Sequence, residues 1–193
     1  MRHFFDIGAN AGQTFDDYLC KGNGFDGATI WCFEPSPRHL GALHEKCELM
    51  SKTDHNWRIN ICSFGLLDRT GSTRVFEKQD PRGDSIFSEL YLGNKYIENR
   101  ETSLGTFCQT HDIVEFVVSN IISPDTVTIK IDTEGSEFKI VRRILGASEV
   151  WPLIEKLMVE WHGVGAVNGQ HDEAVELEKR AKEVGVSMEG WPY

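Results

Sequence analysis

Ionisable side chains are concentrated in two short stretches of the C-terminal half of the chain. Lys130, Asp132 and Glu134 lie in TIKIDTEG, and Glu160 and His162 lie in MVEWHG. Alternation along a strand sends residues two positions apart to the same face, so each stretch groups its ionisable side chains. A carboxylate or imidazole within hydrogen-bond reach of a hydroxyl can take its proton during attack on an electrophile. The catalytic candidates are therefore Asp132, His162, Glu134 and Lys130, with Asp132 or His162 as the base.

The same side chains allow two other interpretations. Asp132, Glu160 and His162 could hold a divalent cation, Mg²⁺ or Mn²⁺, which would bind a sugar diol and acidify it. Alternatively, the group is purely structural, a Lys–Asp pair with acids at the start of a helix, because buried charges need partners.

A glycine turn near the N-terminus is a candidate for binding a ligand. The stretch FFDIGANAGQTF covers residues 4–15 and places Gly8 and Gly12 four positions apart, unlike the G-x-G-x-x-G pattern of dinucleotide-binding proteins. Asp6 could accept hydrogen bonds from an ammonium group, and Asn10 could hold a carboxylate or the turn itself. This arrangement suits the amino-acid end of a ligand better than a pyrophosphate, although a tight structural turn would show the same glycines.

An acid follows the second predicted strand, in the stretch CFEPSP. In dinucleotide-binding folds an acid at this position binds the ribose hydroxyls, which makes Glu34 a candidate for that role. The alternative is a solvated carboxylate that is stabilised by the dipole of the next helix. The glycine turn and the acid together favour a ligand that is a nucleoside with an amino-acid tail, and S-adenosylmethionine is such a molecule.

Strands and helices are predicted to alternate from end to end, which indicates an α/β fold. The expectation is a Rossmann-like, doubly wound and mostly parallel sheet. Ser36 is the predicted N-cap of a helix that starts at Pro37. Further helices are expected at 110–122, from the end of TIKIDTEG to Gly146, and near the C-terminus. The predicted strands cover 3–7, 28–34, 57–68, 126–132 and 156–163. The segment 72–78 is expected to extend the strand at 57–68 or to pair with it, and a short strand is expected at the C-terminus.

Composition and length favour one domain over residues 1–193 and exclude several functions. The formal charge of −10 argues against nucleic acid as a partner, because binding to phosphates needs clustered Lys and Arg. No apolar run approaches the roughly 20 residues of a membrane span. The five cysteines are scattered without a C-x-x-C pair, which predicts reduced thiols and a cytoplasmic protein.

Four stretches together resemble one enzyme family. DIGANAGQT, FEPSP, TIKIDTEGSEFKIV and LMVEWH occur in the order and approximate spacing of FkbM-type S-adenosylmethionine-dependent methyltransferases, over residues 4 to about 165. The resemblance implies a class I methyltransferase fold and an O-methyltransferase that acts on hydroxyls, often of sugars or polyketides. It also implies that Glu34 holds the ribose, with Ser36 beside it, and that Asp132 and Glu134 lie nearest the reaction. The methionine portion would contact Asp6, Gly8, Asn10, Gly12, Gln13 and Thr14.

The chain departs from the family pattern at its N-terminus, where it begins almost at the first strand without the usual leading helix. A homodimer partner or a neighbouring domain of a longer polypeptide could cover the cofactor instead. The segment 79–100 carries Phe87, Tyr91 and Tyr96. These rings either help to bind a hydroxyl-bearing acceptor such as a sugar or simply anchor a long loop.

Two other functions compete with methyl transfer. A metal-dependent nucleotide-sugar glycosyltransferase would use Asp132 and Glu134 as an acidic pair but leaves the glycine turn without a role. A methyltransferase-like binding module without catalysis would keep cofactor affinity and lack turnover.

Overall fold

The structure is a computed structural model that describes residues 1–76, 84, 105–162 and 170–191. Within these residues nine strands and five α-helices alternate, with short 3₁₀ helices at Leu19–Lys21 and Trp151–Leu153. The strands are β1 (Arg2–Ile7), β2 (Thr29–Phe33), β3 (Arg58–Cys62), β4 (Gly65–Leu67), β5 (Gly71–Val75), β6 (Thr106–Asp112), β7 (Thr126–Ile131), β8 (Ile154–Val159) and β9 (Met188–Gly190). The helices are α1 (Gln13–Asp17), α2 (Pro37–Met50), α3 (Ile113–Asn120), α4 (Glu137–Leu145) and α5 (Gln170–Val184).

The main sheet has six strands in the order β3-β2-β1-β7-β8-β9, and all of its described strand pairs are parallel. This order confirms the predicted α/β, Rossmann-like sheet. The chain moves outward from β1 to β3 and then returns to β7 on the other side of β1. Strand order therefore reverses between β1 and β7, and ligands bind at the carboxyl ends of the strands at such a point.

Helices cover both faces of the main sheet because its strands are apolar on both sides. Phe4 and Phe5 are adjacent in β1 and fully buried, and they belong to two different core clusters. The cluster around Phe4 includes Leu43 of α2, whereas the cluster around Phe5 includes Val117 of α3 and Ile140 of α4. Such continuous apolar strands are typical of parallel sheets buried on both faces.

A second, three-stranded sheet with the order β4-β6-β5 corrects part of the prediction. The predicted strand 57–68 is two strands, β3 in the main sheet and β4 in the small one. The predicted strand 72–78 corresponds to β5, which pairs antiparallel with β6 instead of with β3. Strand β6 was not predicted. Its residues alternate between exposed and buried, which is the pattern of a strand with one solvent face. Because β6 continues to Asp112, the helix expected from residue 110 begins at Ile113 instead.

Other boundaries differ less. Strand β8 ends at Val159, so Glu160 and His162 lie after the strand, and the prediction that strand alternation places them on one face was wrong. Ser36 is the N-cap of α2 as predicted, but its side chain makes no capping hydrogen bond. Segment 79–100 lies outside the described residues except for Asp84. None of the described helices combines the length and apolar character needed to cross a membrane.

The turn after β1 brings the two central strands together. Gly8 has a φ of +81°, and a β-carbon there would lie 1.8 Å from the carbonyl oxygen of Asp132. The amide of Asp132 also donates to the carbonyl of Ile7, at 3.0 Å. Only glycine permits both this backbone conformation and the close approach of the chain after β7.

We therefore expect Gly8→Ala to lower the free energy of unfolding by about 2–4 kcal/mol. The backbone strain of alanine at a positive φ and the clash of its β-carbon with the chain after β7 both contribute to this loss. Urea denaturation measures this change. Gly41→Ala is the matched control, since a β-carbon at Gly41 within α2 meets nothing within 4 Å. It should stabilise the protein by about 0.5–1 kcal/mol. Equal stability of the Gly8 variant and the wild type would contradict the proposed constraint.

Candidate functional site

A pocket that is partly open to solvent lies at the carboxyl ends of the central strands. Its walls come from the turn after β1, the end of β2, the small sheet and the loop between β7 and α4. The lining residues are Ile7, Gly8, Asn10, Phe33, Glu34, Pro35, His39, Gly65, Leu66, Leu67, Thr73, Val75, Asp84, Thr110, Asp132, Thr133, Glu134 and Ser136.

The structure brings some of the predicted residues into this pocket and leaves others outside its lining. The candidates that line it are Gly8, Asn10, Glu34, Asp132 and Glu134. Those not in its lining are Asp6, Gly12, Gln13, Thr14, Ser36, Lys130, Glu160 and His162. Of the second group, Ser36, Lys130 and His162 contact lining residues directly.

Glu34 joins the turn after β1 to the start of α2. Its Oε2 accepts a hydrogen bond from the amide of Asn10 at 2.9 Å, and its Oε1 accepts one from the amide of Ser36 at 2.7 Å. Burial raises the pKa of the Glu34 carboxyl, and the two amides oppose that rise. Because each carboxylate oxygen has two lone pairs, both can accept a further hydrogen bond from a ligand in the pocket.

The glycine turn uses most of its own hydrogen-bonding groups. The amides of Gly8 and Ala9 donate to the carbonyl of Phe33, and the Oδ1 of Asn10 accepts from the amide of Ala11. Asn10 therefore holds the turn, which was one of its two predicted roles. A β-carbon at Gly12 would lie 2.8 Å from the Cγ of Lys46, so this glycine admits the side chain of a neighbouring helix.

A buried ion pair lies beneath the pocket. The Nζ of Lys130 lies 3.0 Å from Asp6, 3.1 Å from Asp132 and 3.1 Å from the carbonyl oxygen of Gly8. Burial alone would lower the pKa of Lys130, but the two carboxylates raise it above its ordinary value. A lysine that stays charged and has three oxygen acceptors is an anchor for the strand ends and is poorly suited to accept a proton.

Carboxylates surround His162 at the edge of the pocket. Its Nδ1 lies 3.1 Å from Glu137, and its Nε2 lies 3.5 Å from Glu160, 3.6 Å from Glu134 and 3.9 Å from Asp132. Burial alone would lower the pKa of His162, but these carboxylates, Glu137 foremost, raise it to about 9. His162 is thus protonated at neutral pH, which leaves Asp132 as the stronger candidate for the base.

Glu137 is a functional candidate that the sequence analysis missed. Its side chain is fully buried, and its Oε1 accepts from His162, from the amides of Thr133 and Gly135, and from the hydroxyl of Thr133. It therefore fixes both the loop after β7 and the imidazole. The available signal was its place as the first residue of α4, directly after two small residues in TEGSE.

Asp84 is a second missed candidate. Its carboxylate lies 3.0 Å from the Nε2 of His39 and 3.3 Å from a guanidinium nitrogen of Arg38, and it accepts from the hydroxyl of Ser36 at 3.3 Å. Both Asp84 and His39 line the pocket. No signal in the sequence connects position 84 with α2, because the contact spans more than 40 residues.

Comparison with known protein families identifies the family of this chain. The family model described as the methyltransferase FkbM domain matches residues 6–184. The chain belongs to the FkbM methyltransferase family. This match confirms the predicted family. None of the curated proteins matches the chain significantly.

A solved structure with the same fold is the methyltransferase FkbM from Methylobacillus flagellatus KT. Its sequence is 19% identical to this FkbM-family chain, and the two structures superpose with a TM-score of 0.53. The match covers 97% of this chain but 38% of that one, so this chain spans well under half the length of the solved protein. At this identity the likeness supports the fold alone.

The surroundings of His162 predict a pH dependence. Its pKa of about 9 exceeds the value of about 6.5 in an unfolded chain, so protonated His162 stabilises the fold fully below about pH 6.5. That stabilisation should disappear as the pH rises through about 9. NMR titration of chelator-treated protein would measure the imidazole directly, and a pKa of 6.5 or below would contradict the arrangement.

Glu137→Gln should lower this pKa, because Glu137 supplies the strongest interaction that raises it. Glu155→Gln is the matched control. Glu155 lies in β8 but pairs with Arg2 at 2.5 Å, away from His162. The control should leave the His162 titration unchanged.

Proposed function

We propose that this FkbM-family protein is an O-methyltransferase that transfers the methyl group of S-adenosylmethionine to a hydroxyl of a carbohydrate. The observation that carries the proposal is the position of the pocket. It lies at the strand-order reversal, with Glu34 after β2 and Asp132 after β7, on opposite sides of β1.

Spacing of these two acids supports the assignment of the donor. Strands β2 and β7 both neighbour β1 in the sheet, so they lie about 10 Å apart. A nucleoside with an amino-acid tail can lie along this distance, its ribose hydroxyls at Glu34 and its sulfonium near Asp132. In this proposal Gly8 and Asn10 form the wall beside the methionine portion, and Asp6, buried with Lys130, acts indirectly by holding the loop.

Each turnover moves one methyl group and one proton. The hydroxyl oxygen attacks the methyl carbon, the carbon–sulfur bond breaks towards a neutral thioether, and the hydroxyl proton passes to the carboxylate of Asp132. Asp132 is about a quarter exposed and lines the pocket, so it can reach a substrate hydroxyl. Its ion pair with Lys130, at 3.1 Å, keeps it oriented.

The acids beside the open pocket suit an acceptor that is rich in hydroxyl groups.

A divalent cation, Mg²⁺ or Mn²⁺, is also part of the proposed site, because Asp132, Glu160 and His162 each offer a ligand atom. None of the five cysteines, all of which lie in the described residues, forms a disulfide, which supports a cytoplasmic setting where thiols stay reduced.

Calorimetric titration with S-adenosylhomocysteine tests the choice of donor. We expect selective binding relative to NAD and a UDP-sugar, and about tenfold weaker binding by Glu34→Gln, because a charged acceptor of the ribose hydroxyls is lost. Glu45→Gln, on the exposed side of α2, is the control and should bind like the wild type. Binding of the UDP-sugar alone would replace this proposal with glycosyl transfer.

Asp132→Asn tests the proposed base. With a panel of saccharide acceptors, formation of S-adenosylhomocysteine should fall roughly 10²–10⁴-fold, the usual contribution of a positioned base, while cofactor binding persists. Asp125→Asn is the control, since Asp125 precedes the opposite end of the same strand. Full activity of the Asp132 variant would overturn its assignment, and cofactor binding without turnover of any acceptor by the wild type would favour a binding module.

A further inference from the structure

Three side chains at the edge of the pocket are spaced like ligands of one ion. Asp132, Glu160 and His162 each offer a ligand atom, and these atoms lie within 4.8 Å of one another. The Nε2 of His162 is 3.5 Å from Glu160 and 3.9 Å from Asp132, which is long for a hydrogen bond. Two ligands at about 2.1–2.4 Å from a shared cation are separated by such distances.

Glu137 provides an independent observation on the same histidine. It is fully buried, it contacts Nδ1 of His162 at 3.1 Å, and its Oε2 has no hydrogen-bond partner among the described residues. A histidine that binds a metal usually donates its other ring N–H to a carboxylate, which fixes the tautomer and the ring. Glu137 thus leaves Nε2 directed at the carboxylates of Asp132 and Glu160.

The charge around this histidine is unbalanced. The carboxylates of Asp132, Glu137 and Glu160 lie 3.1–3.9 Å from the ring nitrogens of this single imidazole. A divalent cation would reduce this excess, and the set of carboxylate oxygens with one imidazole suits Mn²⁺ or Mg²⁺.

We propose that Asp132, Glu160 and His162 bind a divalent cation of the Mn²⁺/Mg²⁺ class, with Glu137 as the positioning residue of His162, and that this cation selects acceptors with two adjacent oxygen atoms. The cation site stands on the geometry above. The choice of acceptor rests, in addition, on the proposed methyl transfer.

The consequence for the acceptor follows from coordination number. Three protein ligands leave about three positions of an octahedral ion open. The two oxygens of a vicinal diol can occupy two of them, and an ion-bound hydroxyl has a lowered pKa. Methyl transfer would keep the same balance: the carbon–oxygen bond would form as the carbon–sulfur bond breaks, and the hydroxyl proton would pass to Asp132. An acceptor with a single isolated hydroxyl would lose this chelation.

Binding of Mn²⁺ to the chelator-treated protein tests the cation site without cofactor or acceptor. The loss of the free Mn²⁺ signal in electron paramagnetic resonance should show one site per chain. Glu160→Gln should weaken this binding at least tenfold, and Glu137→Gln by about 10–100-fold, as expected for a partner of a metal-bound histidine. Glu155→Gln, at the other end of β8, should bind like the wild type.

Absence of stoichiometric Mn²⁺ binding by the wild type, or unchanged binding by a correctly folded Glu160→Gln variant, would overturn the cation site. Thermal melting of each variant distinguishes lost binding from lost folding. S-adenosylhomocysteine binding is measured separately. If the protein binds Mn²⁺ but not S-adenosylhomocysteine, the cation site is retained and the proposed methyl transfer is overturned. If it binds S-adenosylhomocysteine but not Mn²⁺, the cation site alone is overturned.

A paired acceptor assay tests the selection of adjacent oxygens. With Mn²⁺ present, a vicinal diol should be methylated at least tenfold faster than its monodeoxy analogue, and the chelator should abolish the difference. Equal rates for the two acceptors would overturn the proposed selectivity even if Mn²⁺ binds.

Discussion

Lys130 carries its charge in the interior, at the place where the strand order reverses. Removing an ammonium group from water costs several kcal/mol unless nearby oxygens replace its hydration. Here the oxygens belong to Asp6 in β1, to the backbone of Gly8 in the following turn, and to Asp132 after β7. The charge therefore ties together the two strands between which the pocket opens. Because one oxygen of Asp132 is bound to Lys130, its other oxygen faces His162, and the orientation of the proposed base depends on the buried pair.

Two further buried carboxylates complete the site by collecting backbone amides. Glu34 accepts from the chain after β1 and from the start of α2, and Glu137 accepts from the loop after β7. Each acid satisfies amides of irregular backbone that would otherwise be costly to bury. The walls of the pocket are thus held by side chains that lie behind them. This arrangement fixes the positions of the groups before a ligand binds, which reduces the reorganisation needed during catalysis.

Local patterns predicted much of this arrangement, and the errors have a common cause. The main strands, α2, α4 and the turn at Gly8 followed from apolar runs, glycines and caps, which depend on neighbouring residues. The small sheet was missed because β6 finds its partners, β4 and β5, only through long-range pairing. The same holds for Asp84, which reaches α2 across more than 40 residues. Glu160 and His162 did meet Asp132, although by way of the loop after β8 and not through strand alternation.

By itself, the sequence determined the family, the order of the helices and of the strands of the main sheet, and the two stretches whose acids meet at the carboxyl ends of the central strands. Those features depend on periodicity and on motifs of a few adjacent residues. Only the tertiary structure decided what each ionisable group does, because charge and pKa depend on burial and on partners from distant segments. Lys130 became an anchor, His162 an imidazole held by Glu137, and Asp132 the one candidate base that both lines the pocket and is oriented by Lys130.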